Sequence, residues 1–160
     1  MLPLVSKYLY MKKIIYITVL FAILSITATN SFAQLRKIPA EVTNAFQEKY
    51  PNAKSVEWRD KLSSFTASFQ QDSATYIAQF KSNGEWESTE ESIDESELPE
   101  AVTNGFDKSK YTEWTIGQVS KIELPNDEVQ YRVEVAKGDI KKRNLYFSSE
   151  GRLLKDKLTL

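Results

Sequence analysis

Ile38-Pro39-Ala40-Glu41-Val42-Thr43-Asn44-Ala45-Phe46 and, sixty positions later, Leu98-Pro99-Glu100-Ala101-Val102-Thr103-Asn104-Gly105-Phe106 carry one pattern twice. Pro, Val, Thr, Asn and Phe keep register, and self-similarity at a fixed spacing is the mark of a duplicated unit. Proline is tolerated in a first helical turn, and Val42, Ala45, Phe46 and Tyr50 recur at spacings of three and four. The segment therefore predicts an amphipathic helix, ended by Pro51-Asn52. In the second copy Val102 and Phe106 repeat the stripe, while Gly105 and Lys108-Ser109-Lys110 predict a shorter or looser end.

Beyond each helix the apolar period falls from 3.6 to 2. Val56 and Trp58, then Phe65, Ala67 and Phe69, then Tyr76, Ala78 and Phe80 alternate with polar neighbours. The second half offers Ile122 and Leu124, then Val129, Tyr131, Val133 and Val135 on one side against Gln130, Arg132 and Glu134 on the other. Leu145, Phe147 and Leu153 or Leu154 follow. Turn residues separate the runs at Asn83-Gly84, Pro125-Asn126-Asp127, Lys137-Gly138-Asp139 and Glu150-Gly151, so hairpins and an antiparallel sheet are expected. Phe80-Lys81-Ser82-Asn83-Gly84 also answers to Phe147-Ser148-Ser149-Glu150-Gly151. The expected fold is α+β: a tandem repeat of one helix followed by antiparallel strands, stacked as a two-layer helix/sheet sandwich.

The N-terminus has a different character. Lys12-Lys13, the apolar run from Ile14 to Ala28 and Asn30-Ser31-Phe32-Ala33 form the n-region, h-region and cleavage site of a signal peptide, with Met11 a second plausible start. The run falls short of the roughly 20 residues that span a bilayer, so membrane association is expected only before cleavage. The expected division is 1–33 signal peptide, 34–96 first repeat and 97–160 second repeat, the two repeats making one domain. The expected location is the periplasm or outside the cell. Residues 34–160 carry 18 basic and 22 acidic side chains, a balance with no electrostatic call for nucleic acid. Glu85 to Glu100 holds eight acids and no bases and reads as a solvated strand end plus linker, the joint between the repeats. Lys137, Lys141, Lys142 and Arg143 read as a charged sheet edge that discourages aggregation.

Several chemistries are excluded by composition. The chain has no His and no Cys, so Ser-His-Asp, Cys-His, thiol redox and the usual zinc sites cannot be built from it. Its five glycines are scattered singly, and no phosphate loop is present. No cofactor and no metal are expected. Glu57 with Asp60, and Glu87 with Glu90, are the carboxylate pairs on offer, both in polar sequence where acids are ill suited to proton transfer at neutral pH. Large rings are plentiful: Trp58, Trp86 and Trp114, with Tyr76, Tyr131, Tyr146, Phe65 and Phe69. The phenylalanines are expected to fill the core, and rings left on a sheet face make good binding anchors.

The signal peptide, the I/L-P-x-x-V-x-x-x-F helix opening, the V-x-W strand and the F-x-x-x-G hairpin together resemble the PepSY-like periplasmic proteins of Bacteroidetes, whose fold is similar to the beta-lactamase inhibitory protein. The resemblance implies helix-plus-strands units whose two sheets form one concave, aromatic-rich face, and it implies no activity. In the inhibitor that the fold resembles, the sheet face and hairpin loops grip a partner enzyme. The tips in equivalent places here are Gln71-Asp72-Ser73 and Gly138-Asp139-Ile140. The reading that follows is a non-enzymatic interaction protein that binds or inhibits another exported protein through Asp72, Asp139, Trp58, Trp86 and Tyr131. A carrier of a small ligand or peptide is the alternative, marked by an enclosed apolar pocket, and a carboxylate hydrolase stands behind it.

Overall fold

A computed structural model describes residues 37–138 and 140–159. The signal peptide expected over 1–33 lies outside the described residues. Helix α1 (Ala40–Lys49) is followed by strands β1 (Lys54–Asp60), β2 (Ser64–Gln71), β3 (Ala74–Lys81) and β4 (Trp86–Ile93). Helix α2 (Glu100–Asp107) is followed by β5 (Thr115–Glu123), β6 (Val129–Lys137), β7 (Lys141–Ser148) and β8 (Leu153–Thr159). Pro39 and Pro99 stand at the N-caps, one residue ahead of the first helical turn in which the pattern placed them. Their extended backbone, ψ 148° and 142°, aims each carbonyl into its helix. There Pro39 accepts from the amides of Val42 and Thr43, and Pro99 from those of Val102 and Thr103. Tyr50 closes α1 by donating its amide to the carbonyl of Phe46 at 2.8 Å.

All eight strands form one antiparallel sheet in sequence order. The resemblance implied two sheets; β4 and β5 pair from Thr89↔Glu123 to Ile93↔Val119 and make them one. The strand end expected in the acidic segment is present, but the pairing puts it inside the sheet. Half of it is an interior strand, and only Asp94 to Pro99 remains as joint, with a short 3-10 turn over Glu95–Glu97. Lys137 to Arg143 is not a sheet edge either, because β6 and β7 are interior strands. Arg143 is instead ion-paired to Asp156, and Lys142 lies 3.8 Å from Glu134.

The register carries one face straight across the sheet: Phe65, Phe80, Trp86 and Thr89, then Val119, Val133, Leu145 and Phe147. Both helices cover this face. Val42 and Phe46 of α1 pack on Phe65, Ala67, Phe69, Ala78 and Phe80, while Val102 and Phe106 of α2 pack on Tyr111, Val119, Val133, Val135, Leu145 and Phe147. One extra residue in β5 between Ile116 and Val119 puts these two, three apart, on the covered side. The same bulge turns Ile122 to the other face, where the alternation had grouped it with the core.

Each helix rests on a glycine turn. Gly151, φ +79°, lies so close to α2 that an added Cβ would stand 1.8 Å from the carbonyl oxygen of Ala101, and Gly84 meets Glu41 of α1 in the same manner. Gly105 is therefore not a loose helix end. A Cβ there would meet the carbonyl oxygen of Gly151 at 1.9 Å, so the missing side chain is what lets helix and turn touch.

Candidate functional site

The face without helices is the candidate site. Its central rows are read from the register: Ile77, Glu90, Ile122 and Gln130 in one, Ser92, Ser120, Arg132, Tyr146 and Lys155 in the next. Antiparallel sheets often leave one face to water, and such a face is then polar in strict alternation. Here it also holds Ile77 at 41 % exposure and the half-buried ring of Tyr146, both of which a partner would cover. Arg132 of β6 reaches over β5 to form an ion pair with Glu90 of β4 and donates from Nη2 to Ser120 Oγ at 3.0 Å. The pair is mostly shielded, with side chains 17 % and 23 % exposed, and Ser120 beneath it is fully buried. Taking either partner away would strand a desolvated charge. Arg132 Nε and Asn144 Oδ1 on the same face are buried without a hydrogen-bond partner among the described residues. Beyond them Lys155 and Lys157 lie with Nζ 5.7 and 5.9 Å from the centre of the Tyr146 ring.

On the covered side a polar seam separates the two apolar clusters. Tyr76 donates to Glu91 at 3.0 Å, and Lys121 pairs with Glu123 at 2.8 Å. The bond to Glu123 raises the Lys121 ammonium above the ordinary lysine range against the opposing effect of burial, and Glu91 adds to the rise. Burial is also the main reason the Tyr50 hydroxyl, bonded to Thr89, titrates high.

Asp156 of β8 ties the edge of the sheet to the loop after α2. Tyr111 Oη and Arg143 Nε both donate to it, and Lys110 Nζ is 3.7 Å away. Burial works against its ionisation, but Tyr111, Arg143 and Lys110 outweigh it and the carboxyl titrates below the usual aspartate range. A lowered folded value means stabilisation complete above the unfolded pKa of about 3.9 and lost as pH falls through the folded one. Asp156→Asn should cost about 1–3 kcal/mol at neutral pH. Urea unfolding followed across pH should then show the variant and parent converging below the ordinary aspartate range.

The residues expected to bind do not share the open face. Trp58 packs edge-on against Phe46 with ring centres 5.2 Å apart, and Tyr131 is half-buried against the cluster under α2. Trp86 donates from Nε1 to Thr89 Oγ1 at 2.9 Å and carries Lys49 Nζ 3.9 Å above its ring. All three stand on the helix side. Asp72 is at the exposed tip of the β2–β3 hairpin, where φ of 50° and 68° at Asp72 and Ser73 make the tight turn its sequence suggested. It lines a polar cleft of about 720 Å³ with Pro51, Asn52, Lys54 and Gln70. Asp139 lies outside the described residues. Lys137, where β6 ends, is at the same end of the sheet as Asp72. Of the carboxylate pairs, Glu90 is held by Arg132 and Glu87 accepts from Gln79 Nε2 at 2.8 Å. The sequence placed Arg132 on the polar side of β6 but could not pair it with Glu90, because their partnership depends on β4 meeting β5.

A one-sheet α+β sandwich, with helices on one face and a mixed polar and apolar face that no described helix covers, is the beta-lactamase-inhibitor-like fold class. The chain belongs to the beta-lactamase-inhibitor-like, PepSY-like family, whose model matches residues 63–155. Among solved structures it is similar to a BLIP-like protein from Bacteroides fragilis NCTC 9343, at 32 % identity and TM-score 0.65, over 76 % of this chain and 86 % of that one. A DUF2874 family protein from Bacteroides uniformis ATCC 8492 shares the fold at 24 % identity and TM-score 0.69, over 75 % and 88 % of the two chains. A candidate periplasmic protein from Bacteroides eggerthii DSM 20697 does so at 22 % and 0.69, with the same coverage. No curated protein matches the chain.

Proposed function

We propose that this is an exported, non-enzymatic protein that binds, and in binding can inhibit, another protein through the open face of its sheet. The observation that carries the reading is the sheet face that no described helix covers, with Ile77, Tyr146 and the shielded Glu90–Arg132 pair at its middle. Such a mixture of ring, aliphatic and oriented charge suits a protein surface better than water alone. The fold family supports the same direction, since an inhibitor-like scaffold suggests a protein partner. Asp72, with Asp139, joins the proposal as a tip at one rim, and Trp58, Trp86 and Tyr131 as the rings that stiffen the scaffold behind it. The clefts beside α1 and α2, about 490 and 500 Å³, open to solvent, which weighs for surface binding over a small-ligand carrier.

The helix and four strands of each half are read as one duplicated unit, 34–96 and 97–160. Support comes from the paired turns: Gly84 and Gly151 donate to Lys81 and Ser148 at 3.0 and 2.9 Å and brace their helices alike. Export rests on the signal-like residues 1–33 and places the partner in the periplasm or beyond. The experiment is crosslinking capture from periplasmic extract with the parent, with Arg132→Glu/Tyr146→Ala and with Asp72→Ala. A partner lost only by the double variant, with unfolding midpoints checked, supports the open face. Loss with Asp72→Ala alone moves the contact to the tip, and retention by both variants overturns the reading.

A further inference from the structure

Among the described residues strand β8 has a neighbour on one side only, so its outer row of backbone groups has no strand partner there. From Lys155 to Thr159 it runs in unbroken register with β7, a straight template for one more strand. The opposite edge is different. In β1 the pairing breaks between Lys54 and Glu57, where Ser55 takes a φ of 54°, and a bulge of that kind spoils an edge for pairing.

The side chains of β8 narrow what it would accept. Leu154 is 42 % and Leu158 59 % exposed. Lys155 and Lys157 stand on the open face beside Tyr146 and make no ion pair among the described residues. The strand's own acid, Asp156, points to the other side and is already held by Tyr111 and Arg143. A second copy laid antiparallel on this edge about Asp156 would set Lys155 opposite Lys157 at both crossings, and like charges directly opposite destabilise a strand pair. An acidic strand would meet the same lysines with attraction.

We propose that the outer edge of β8 takes up an extended segment of another protein by strand addition, with acidic residues at alternate positions against Lys155 and Lys157 and an apolar residue against Leu158. The edge adjoins the open face, to which Lys155 and Lys157 also belong, but strand addition along it does not depend on the open-face contact. The test uses two short blocked peptides, one alternating glutamate with valine and one alternating lysine with valine, added to the purified protein, with backbone amide exchange read residue by residue. The glutamate peptide should slow exchange along β8 and leave β1 unchanged, and the lysine peptide should do neither. Lys155→Glu/Lys157→Glu, at exposed positions that leave the fold intact, should reverse the preference by about tenfold or more in Kd. Equal binding of both peptides, protection elsewhere than β8, or an unaltered preference in the double variant would overturn the proposal. So would self-association of the parent through this edge in sedimentation.

Discussion

Gly151→Ala will cost about 2–4 kcal/mol of stability, read as a shift of the urea midpoint at unchanged slope. Two effects add. An L-residue held at a φ of +79° costs about 1 kcal/mol or more, and forcing a Cβ into a filled space costs typically 1–3 kcal/mol. The space is filled by backbone, with the Ala101 carbonyl oxygen at 1.8 Å, so no side chain can swing aside. The whole of α2 would have to lift from β7. Gly138→Ala supplies the control: its φ is +64°, but beyond its chain neighbours nothing among the described residues lies within 4 Å of the added methyl, so it should lose only the backbone part. If both variants lose the same amount, the contact between helix and turn contributes nothing. Ala101→Gly cannot rescue Gly151→Ala, because the obstacle is a carbonyl.

Phe46→Ala should be the larger loss, about 4–5 kcal/mol, and should exceed Phe106→Ala by about 1 kcal/mol. The two residues are equivalent in the sequence pattern and nearly equally buried, at 5 % and 6 % exposure. Their surroundings differ. Phe46 meets Trp58 and Phe69 edge-on, at centroid distances of 5.2 and 5.1 Å and angles of 70° and 85°, and is also near Tyr50 and Phe80. Phe106 sits in a mainly aliphatic cluster and has no ring pair among the described residues. Truncating a buried phenylalanine costs about 3–5 kcal/mol, and each well-placed ring pair adds about 0.5–1.5 kcal/mol beyond area. Thermal unfolding of the two variants side by side measures the difference, and equal losses would deny the ring cluster any special contribution.

The residues that decide local structure are close together in the chain, and that is why they could be read. The 3.6 period of Val42, Phe46 and Tyr50, the alternation through Phe65, Ala67 and Phe69, and the turn residues at Asn83-Gly84 and Glu150-Gly151 each act within a few residues. They specify helices, strands, hairpins and the α+β class by themselves. The family resemblance rested on the same local signals.

Alternation states which side chains share a face, but not which face will be covered. That choice waited on where α1 and α2 landed, so Trp58, Trp86 and Tyr131 went to the helix side and Ile77, Arg132 and Tyr146 to the open one. Position 105 looked like a weak helix end because its reason, the carbonyl of Gly151, is 46 residues away in the chain. The pairing of β4 with β5 made one sheet of two halves and joined Glu90 to Arg132 across it, with β8 an edge among the described residues. The sequence determined the elements and their amphipathic faces, because those depend on local spacing. Only the tertiary structure decided the single sheet, the exposed face and the free edge, because each depends on backbone pairings between segments far apart in the chain.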